Sequence, residues 1–453
     1  MKKRFCFSLS TTQIIMLSFI AVIFTGSFLL SLPIASSNGT PVPYIDALFT
    51  ATTSTCVTGL VTLPTFSTWS IFGQIVILCL IQIGGLGIIT VMAGFMVALN
   101  RKMKFGDRLL IQDAFNLNTM SGLGSFIKKV IIGTLTVEGI GALLYMTVFV
   151  KDFGVKGIWI SVFNSVSAFC NAGIDIIAED SLCSYATNPL INTVSSLLII
   201  LGGIGYIVWW DLIRVLKQAR YRRGKWFRYL TLHSKIALTS TLVLILAGAV
   251  AIFILEYNNP LTLKELSLFD KIQLSFFQSI TTRTAGFATI PQQNLTNASS
   301  IVSILLMFIG GSPVGTAGGI KTVTATVLVA SAIASLKNKN DATLFNRNLS
   351  KQAIIKAIAV VGMSFVIVFV STVLLCAVTE ANALTIIYET VSATATVGLS
   401  KDLTPYLSNI GKIIITAAMY LGRVGPISLA IAFNFKKDNQ NIVTPPTEDI
   451  SVG

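Results

Sequence analysis

Residues 394–400 read "TATVGLS", a Thr-Val-Gly run set between two apolar stretches. A glycine in such a place lets the backbone turn so that successive carbonyls share one direction, using dihedrals open to a residue without a side chain. One strand of carbonyls cannot surround anything, however. If "TVG" lines an axis, about three more such strands must lie elsewhere in the chain, and the same pattern should repeat at a fixed interval.

It does. Counting back from Gly398, the chain offers "RTAGF" at Gly286, "CNAGI" at Gly173 and "CVTGL" at Gly59, at intervals of 112, 113 and 114 residues. Each glycine follows a short amphiphilic stretch: "YIDALFTATTST", "WISVFNSVSAF", "IQLSFFQSITT" and "IYETVSATA". None is long enough to cross roughly 30 Å of hydrocarbon, so each should dip in and return. A second motif keeps step with the first. "IGGLG" (83–87), "LGGIG" (201–205), "IGGSPVGTAGG" (309–319) and "LGRVG" (421–425) follow the four glycines by 25, 29, 24 and 24 residues. The predicted unit is helix, re-entrant pore helix, filter strand, helix, used four times. The boundaries expected are 1–100, 101–217, 218–340 and 341–453, the last carrying a cytoplasmic tail.

The composition fits that unit. The 453 residues are 53% hydrophobic and only 11% charged, against about 25% charged in soluble domains. Apolar segments near 13–34, 71–99, 126–150, 190–216, 236–256, 299–335, 353–378 and 409–435 predict an all-α polytopic membrane protein with eight spanning helices around a pseudo-fourfold pore. The first, after Lys2, Lys3 and Arg4, is too long for a signal peptide's apolar region.

The net charge of +14 could suggest nucleic acid, but its distribution excludes that partner. With the amino terminus placed in the cytoplasm, 24 of the 33 basic residues fall on the cytoplasmic side, as the positive-inside rule requires. The run from Arg214 to Arg228 then reads as an anchor to membrane lipid or a docking surface for a cytosolic partner. Acidic residues lean outward: Asp46, Asp175, Glu179, Asp180, Glu256, Glu265, Asp270, Glu380, Glu389 and Asp402. A negative outer mouth concentrates cations. The six cysteines show no disulfide framework, and free thiols are expected.

The candidate ion-binding filter comprises Cys56, Val57, Thr58 and Gly59; Cys170, Asn171, Ala172 and Gly173; Thr284, Ala285 and Gly286; and Thr396, Val397 and Gly398. Backbone carbonyls there would replace a cation's hydration shell. Side chains at Cys56 and Cys170 should point away from the axis. The third repeat departs from symmetry at Gly310, Gly311, Ser312, Pro313, Val314, Gly315, Thr316, Ala317, Gly318 and Gly319. So much glycine, with a proline, cannot hold a continuous helix. An irregular loop beneath the filter, acting as a gate, is expected. Its resemblance to a phosphate-binding loop fails, because Ile320 separates glycine from Lys321.

Charges at membrane depth are costly and usually functional. Arg423 should donate to carbonyls of the gate loop. Lys321 should either contact that loop or extend to the interface. Arg283 should brace the filter from behind, with Glu389 a candidate partner. Glu138 needs a hydroxyl, a helix terminus or a basic group.

The fourfold pattern with "TVGLS", "RTAGF" and "IGGLG" resembles the Trk/Ktr/HKT superfamily of potassium transporters, and among them the Ktr membrane subunits, across essentially the whole chain. The resemblance implies potassium as the ion at the filter carbonyls, with sodium the second candidate and sodium coupling left open. It also implies a homodimer, no covalent cofactor, and control by a cytosolic nucleotide-binding ring of separate, KtrA-like subunits in a bacterial plasma membrane. Gly59 agrees with potassium, since sodium-favouring HKT members often carry serine there. Two other readings compete. An integral-membrane enzyme would need clustered titratable groups at depth, and the chain has a single histidine, His233. An alternating-access carrier usually shows twofold or inverted repeats.

Overall fold

The structure is a computed structural model that describes residues 11–99, 122–217, 226–339 and 341–425. It is almost wholly helical. Four helices are uninterrupted and apolar enough to cross a bilayer: α1 (Thr11–Leu30), α5 (Leu123–Phe153), α9 (Leu232–Glu256) and α13 (Lys351–Val378). Each precedes one short helix: α2 (Tyr44–Cys56), α6 (Lys156–Cys170), α10 (Leu268–Thr281) and α14 (Ala383–Thr394). These cover the four short amphiphilic stretches noted in the sequence, and each ends within five residues of the glycine that follows it.

After each filter strand the chain enters another helix, started by a side-chain cap. Ser70 accepts from the Gly73 amide before α3 (Ile71–Leu86), and Asn188 from Leu190 and Ile191 before α7 (Pro189–Ile204). Thr296 accepts from Ser299 before α11 (Asn297–Phe308), and Ser408 from Gly411 before α15 (Asn409–Val424). A hydroxyl or amide acceptor at this position satisfies one of the amides that a helix start leaves open. The loop-to-helix junction is therefore fixed in the same way in all four units.

The glycine motifs then break these helices sharply. α3 turns by 93° into α4 (Ile88–Ala98) at Gly87, and α7 by 97° into α8 (Tyr206–Lys217) at Gly205. Gly87, Gly205 and Gly425 share one conformation, with φ of 84°, 94° and 87° and ψ of 135°, 141° and 140°. That left-handed region is open to glycine and strained for other residues. Segments 71–99 and 190–216, expected as single spans, are thus bent pairs in which only one half can follow the membrane normal. In the third unit, α11 and α12 (Thr322–Leu336) are separated by an irregular stretch. Residues 426–435 of segment 409–435 lie outside the described residues, as do the basic loop 101–121 and the tail.

Among the described residues the one departure from an all-α fold is a hairpin, Thr343–Leu344 against Arg347–Asn348. Its turn residues Phe345 and Asn346 both have positive φ, as a tight two-residue hairpin requires.

Candidate ion filter and gate

The four filter strands are built alike. The residue two before each glycine (Val57, Asn171, Thr284, Thr396) is left-handed, with φ between 51° and 69°. This ends the pore helix and directs the following carbonyls inward. A hydroxyl on each pore helix holds the strand from behind. Thr53 accepts from the Gly59 amide and Ser392 from that of Gly398, both at 3.0 Å. Ser167 accepts from Ile174 at 3.1 Å, and Thr281 donates to the Phe287 carbonyl at 2.6 Å. These hydroxyls escaped the sequence reading. Their signal was present as a Ser or Thr five or six residues before every filter glycine.

The four glycines close into a ring. A methyl added at Gly59 would lie 2.5 Å from the Ala172 carbonyl oxygen, one at Gly173 2.5 Å from that of Ala285, and one at Gly286 2.6 Å from that of Val397. A methyl on Gly398 would overlap the Thr58 oxygen. Each glycine thus faces the carbonyl just before the next one, and the fourth returns to the first. The C-terminal ends of four pore helices converge there, adding negative potential. Cys56 packs among Phe49, Leu60 and Met419, and Cys170 sits 3.8 Å from both Gln82 and Glu138. Both side chains lie behind their strands, as expected, and with Cys79, Cys183 and Cys376 they are free thiols.

All four glycines open into a cavity of about 440 Å³. Asp175, Glu179, Asp180 and Asp402 line it, and among the described residues no lysine or arginine does. Lys401, next to Asp402, turns away to Ser300 at 2.7 Å. The other outer carboxylates do different work. Asp46 pairs with Lys412 at 2.5 Å, and Glu256 binds Asn259, Thr262 and Thr296. Burial pushes the Asp175 carboxyl up to about 6 against the hydrogen bonds of Ser181 and the Ile177 amide, with Asp180 adding repulsion. Burial likewise pushes the Cys183 thiol up to about 12.

Residues 310–319 form the irregular loop in which the sequence placed the candidate gate. The Ser312 and Thr316 amides donate to the Gly203 and Gly202 carbonyls at 2.8 and 3.1 Å, and the Thr316 hydroxyl donates to Phe169 at 3.1 Å. Ser312 Oγ and Thr322 Oγ1 lie 2.9 Å apart, and Ile309 bridges Ile320. Gly311, Ala317 and Gly318 are buried, while Val314 and Gly315 face a second cavity of about 230 Å³ with Arg423. Pro313 stands where the other units place the hinge glycine, three residues after the first glycine of the motif. Without that hinge the third unit runs on as a loop instead of a bent helix.

Arg423 donates to the Thr316 carbonyl at 2.6 Å and to that of Gly84 at 2.5 Å. It occupies the motif position that Gly85, Gly203 and Gly311 hold in the other units. Lys321 also contacts this loop, donating to the Ala317 carbonyl at 2.6 Å. Two expected pairings are corrected. Arg283 donates to the Gly310 carbonyl at 3.0 Å, whereas Glu389 accepts from Ser400 at 2.8 Å and from Thr404. Glu138 meets an amide and a thiol, Gln82 at 3.3 Å and Cys170, rather than a hydroxyl or a base.

The arrangement has known counterparts. The family model for TrkH, described as a cation transport protein, matches residues 5–444. The Ktr system potassium uptake protein B of Bacillus subtilis is 39% identical over 97% of this chain and 96% of its own length. The potassium/sodium uptake protein NtpJ of Enterococcus hirae is 38% identical over 100% and 99%. The crystal structure of the potassium transporter TrkH from Vibrio parahaemolyticus superposes with a TM-score of 0.74 at 15% identity, over 95% of this chain and 86% of that one. That last likeness concerns the fold.

Proposed function

The chain belongs to the TrkH family of cation transport proteins, and from that premise we propose that it is the potassium-translocating membrane subunit of a Ktr-type uptake system. It is a transporter rather than an enzyme, since the family and the relatives carry ions. The observation that carries the ionic reading is the ring in which four glycines each face the carbonyl preceding the next. Such a ring offers several dipolar oxygens and no fixed charge, which suits a large, weakly hydrated monovalent cation.

Ions would collect in the acidic cavity, shed water at the carbonyls of residues 56–59, 170–173, 284–286 and 396–398, and stop at a plug formed by residues 310–319. That plug with Arg423 would then be the gate. The four units within 1–100, 101–217, 218–340 and 341–453 would each supply one strand. Sodium remains the second ion, a reading favoured by the potassium/sodium name of one relative. The names of the Ktr relatives support assembly with separate regulatory subunits. The proposed assembly is a homodimer on a cytosolic nucleotide-binding ring, in a bacterial plasma membrane, with the amino terminus inside.

The deciding experiment is rubidium-86 uptake by purified protein in liposomes carrying an opposing potassium gradient. Uptake driven by the gradient alone, suppressed by external potassium more than by sodium, is the expected result. Absence of gradient-driven uptake in correctly inserted protein would overturn the pore reading and favour a carrier.

A further inference from the structure

Two neighbouring residues of the third filter strand hold the two ends of the plug. The Arg283 guanidinium donates to the Gly310 carbonyl at 3.0 Å, at the loop's start. Thr284 Oγ1 accepts from the Gly318 amide at 3.1 Å, near its end. Arg283 is 7% exposed and Thr284 fully buried, so both contacts lie away from bulk water. Among the described residues no carboxylate pairs with Arg283; its other contact is the Thr241 carbonyl at 3.4 Å. A buried guanidinium left without its carbonyl acceptors is costly.

The other strands lack this connection. At the position of Thr284 the first and second units carry Val57 and Asn171. The fourth carries Thr396, whose hydroxyl has no partner among the described residues. Thr284 is also left-handed, at φ 69°, a conformation a β-branched residue holds only when its surroundings enforce it. Its hydroxyl bond to Gly318 is one of the enforcing contacts. Its backbone sets the direction of the Ala285 carbonyl, which faces Gly173 in the ring.

We propose that Arg283 and Thr284 couple the plug to the filter, so that displacing residues 310–319 also relaxes the third filter strand and lowers its discrimination between potassium and sodium. The proposal rests on the filter-and-gate reading above and adds to it that the two are one mechanical unit. Both residues act by positioning backbone carbonyls. When the loop leaves, Gly310 and Gly318 withdraw an acceptor and a donor from adjacent residues of one strand. The left-handed turn then loses support on the side facing the plug.

The test uses full-length protein in liposomes and reads rubidium uptake together with its inhibition by sodium. Thr284→Val keeps the shape and removes the acceptor. It should raise uptake and reduce the rubidium-over-sodium preference by roughly 2- to 10-fold, the factor one hydrogen bond supplies. Thr284→Ser restores the acceptor and should recover both native values. Faster uptake with unchanged preference, or no change in either, overturns the coupling. The native chain gives a second measurement by hydrogen exchange. The amides of 316–320 should exchange more slowly in potassium than in sodium if the filter's occupant is felt at the plug, and ion-independent exchange overturns the proposal. The gate reading has its own control. If deleting 312–317 leaves uptake no faster, that reading falls and this one with it. If the deletion accelerates uptake while Thr284→Val is silent, only the coupling falls.

Discussion

Gly398 shows how much one hydrogen atom decides. Its φ of 97° lies where side chains are strained, and any Cβ would overlap the Thr58 oxygen of the neighbouring unit. Left-handed backbone alone costs a substituted residue about 1–2 kcal/mol, and the overlap must move a carbonyl that an ion would use. Gly398→Ser and Gly59→Ser should therefore insert and yet lose potassium preference, by about tenfold if the full strain appears as lost discrimination. Sodium competition against rubidium uptake measures this, and unchanged preference in both variants would remove the ring from the mechanism. Asp175 makes a second residue-scale prediction. Its carboxyl is held near 6 by burial, with Glu179, Asp180 and Asp402 sharing the cavity. As external pH falls through about 6, it gains a proton and the cavity loses one negative charge. Uptake at low ion concentration should fall in that window, and Asp175→Asn should flatten the profile.

At the scale of elements, the candidate gate loop is held by many hydrogen bonds, with Val314 and Ala317 adding only small apolar contacts. Deleting 312–317 should raise maximal uptake strongly. Arg423→Ala, which frees the Thr316 and Gly84 carbonyls, should do so in part. A variant that folds and dimerises but transports no faster would make this loop a structural break. The pore helices were legible as elements because amphiphilic stretches too short to span recur in front of glycine. The bends were less so. "IGGLG" and "LGGIG" mark a weak point, but a turn of more than 90° follows only once the left-handed Gly87 and Gly205 are packed. The substitution of Pro313 for the hinge glycine was readable as a break, though not as the reason the third unit forms a loop where the first two form bent helices.

For the whole molecule, closing a ring of four units requires joining the last to the first, residues more than 300 apart in sequence. Lys412 and Asp46 form one such joint at 2.5 Å, both largely shielded from water, beside the bonds of Arg423 to Gly84 and of Tyr420 to Met16. Removing one partner of a buried pair costs roughly 3–5 kcal/mol, so Lys412→Ala should lower the thermal unfolding midpoint in detergent by several degrees. An unchanged midpoint would mean that packing and the other joints close the ring. Control from the cytoplasm is expected to come from outside this chain. The subunit alone in liposomes should respond equally little to ATP and ADP, and intrinsic nucleotide sensitivity would contradict the ring-subunit assignment.

Sequence by itself determined the membrane class and the mostly helical fold, and it marked the four glycines and the break after α11 as places to look. Each of these is written as a local pattern of hydropathy, interval or backbone freedom, and needs no distant contact to be seen. Tertiary structure alone decided which partner each buried polar group takes. Arg283 turned to Gly310 instead of Glu389, Glu138 to Gln82 and Cys170, and only four of ten outer carboxylates reached the cavity above the filter. A buried donor is satisfied by whichever acceptor the closed ring brings within about 3 Å. That distance depends on how four units pack about one axis, which no single unit's residues specify.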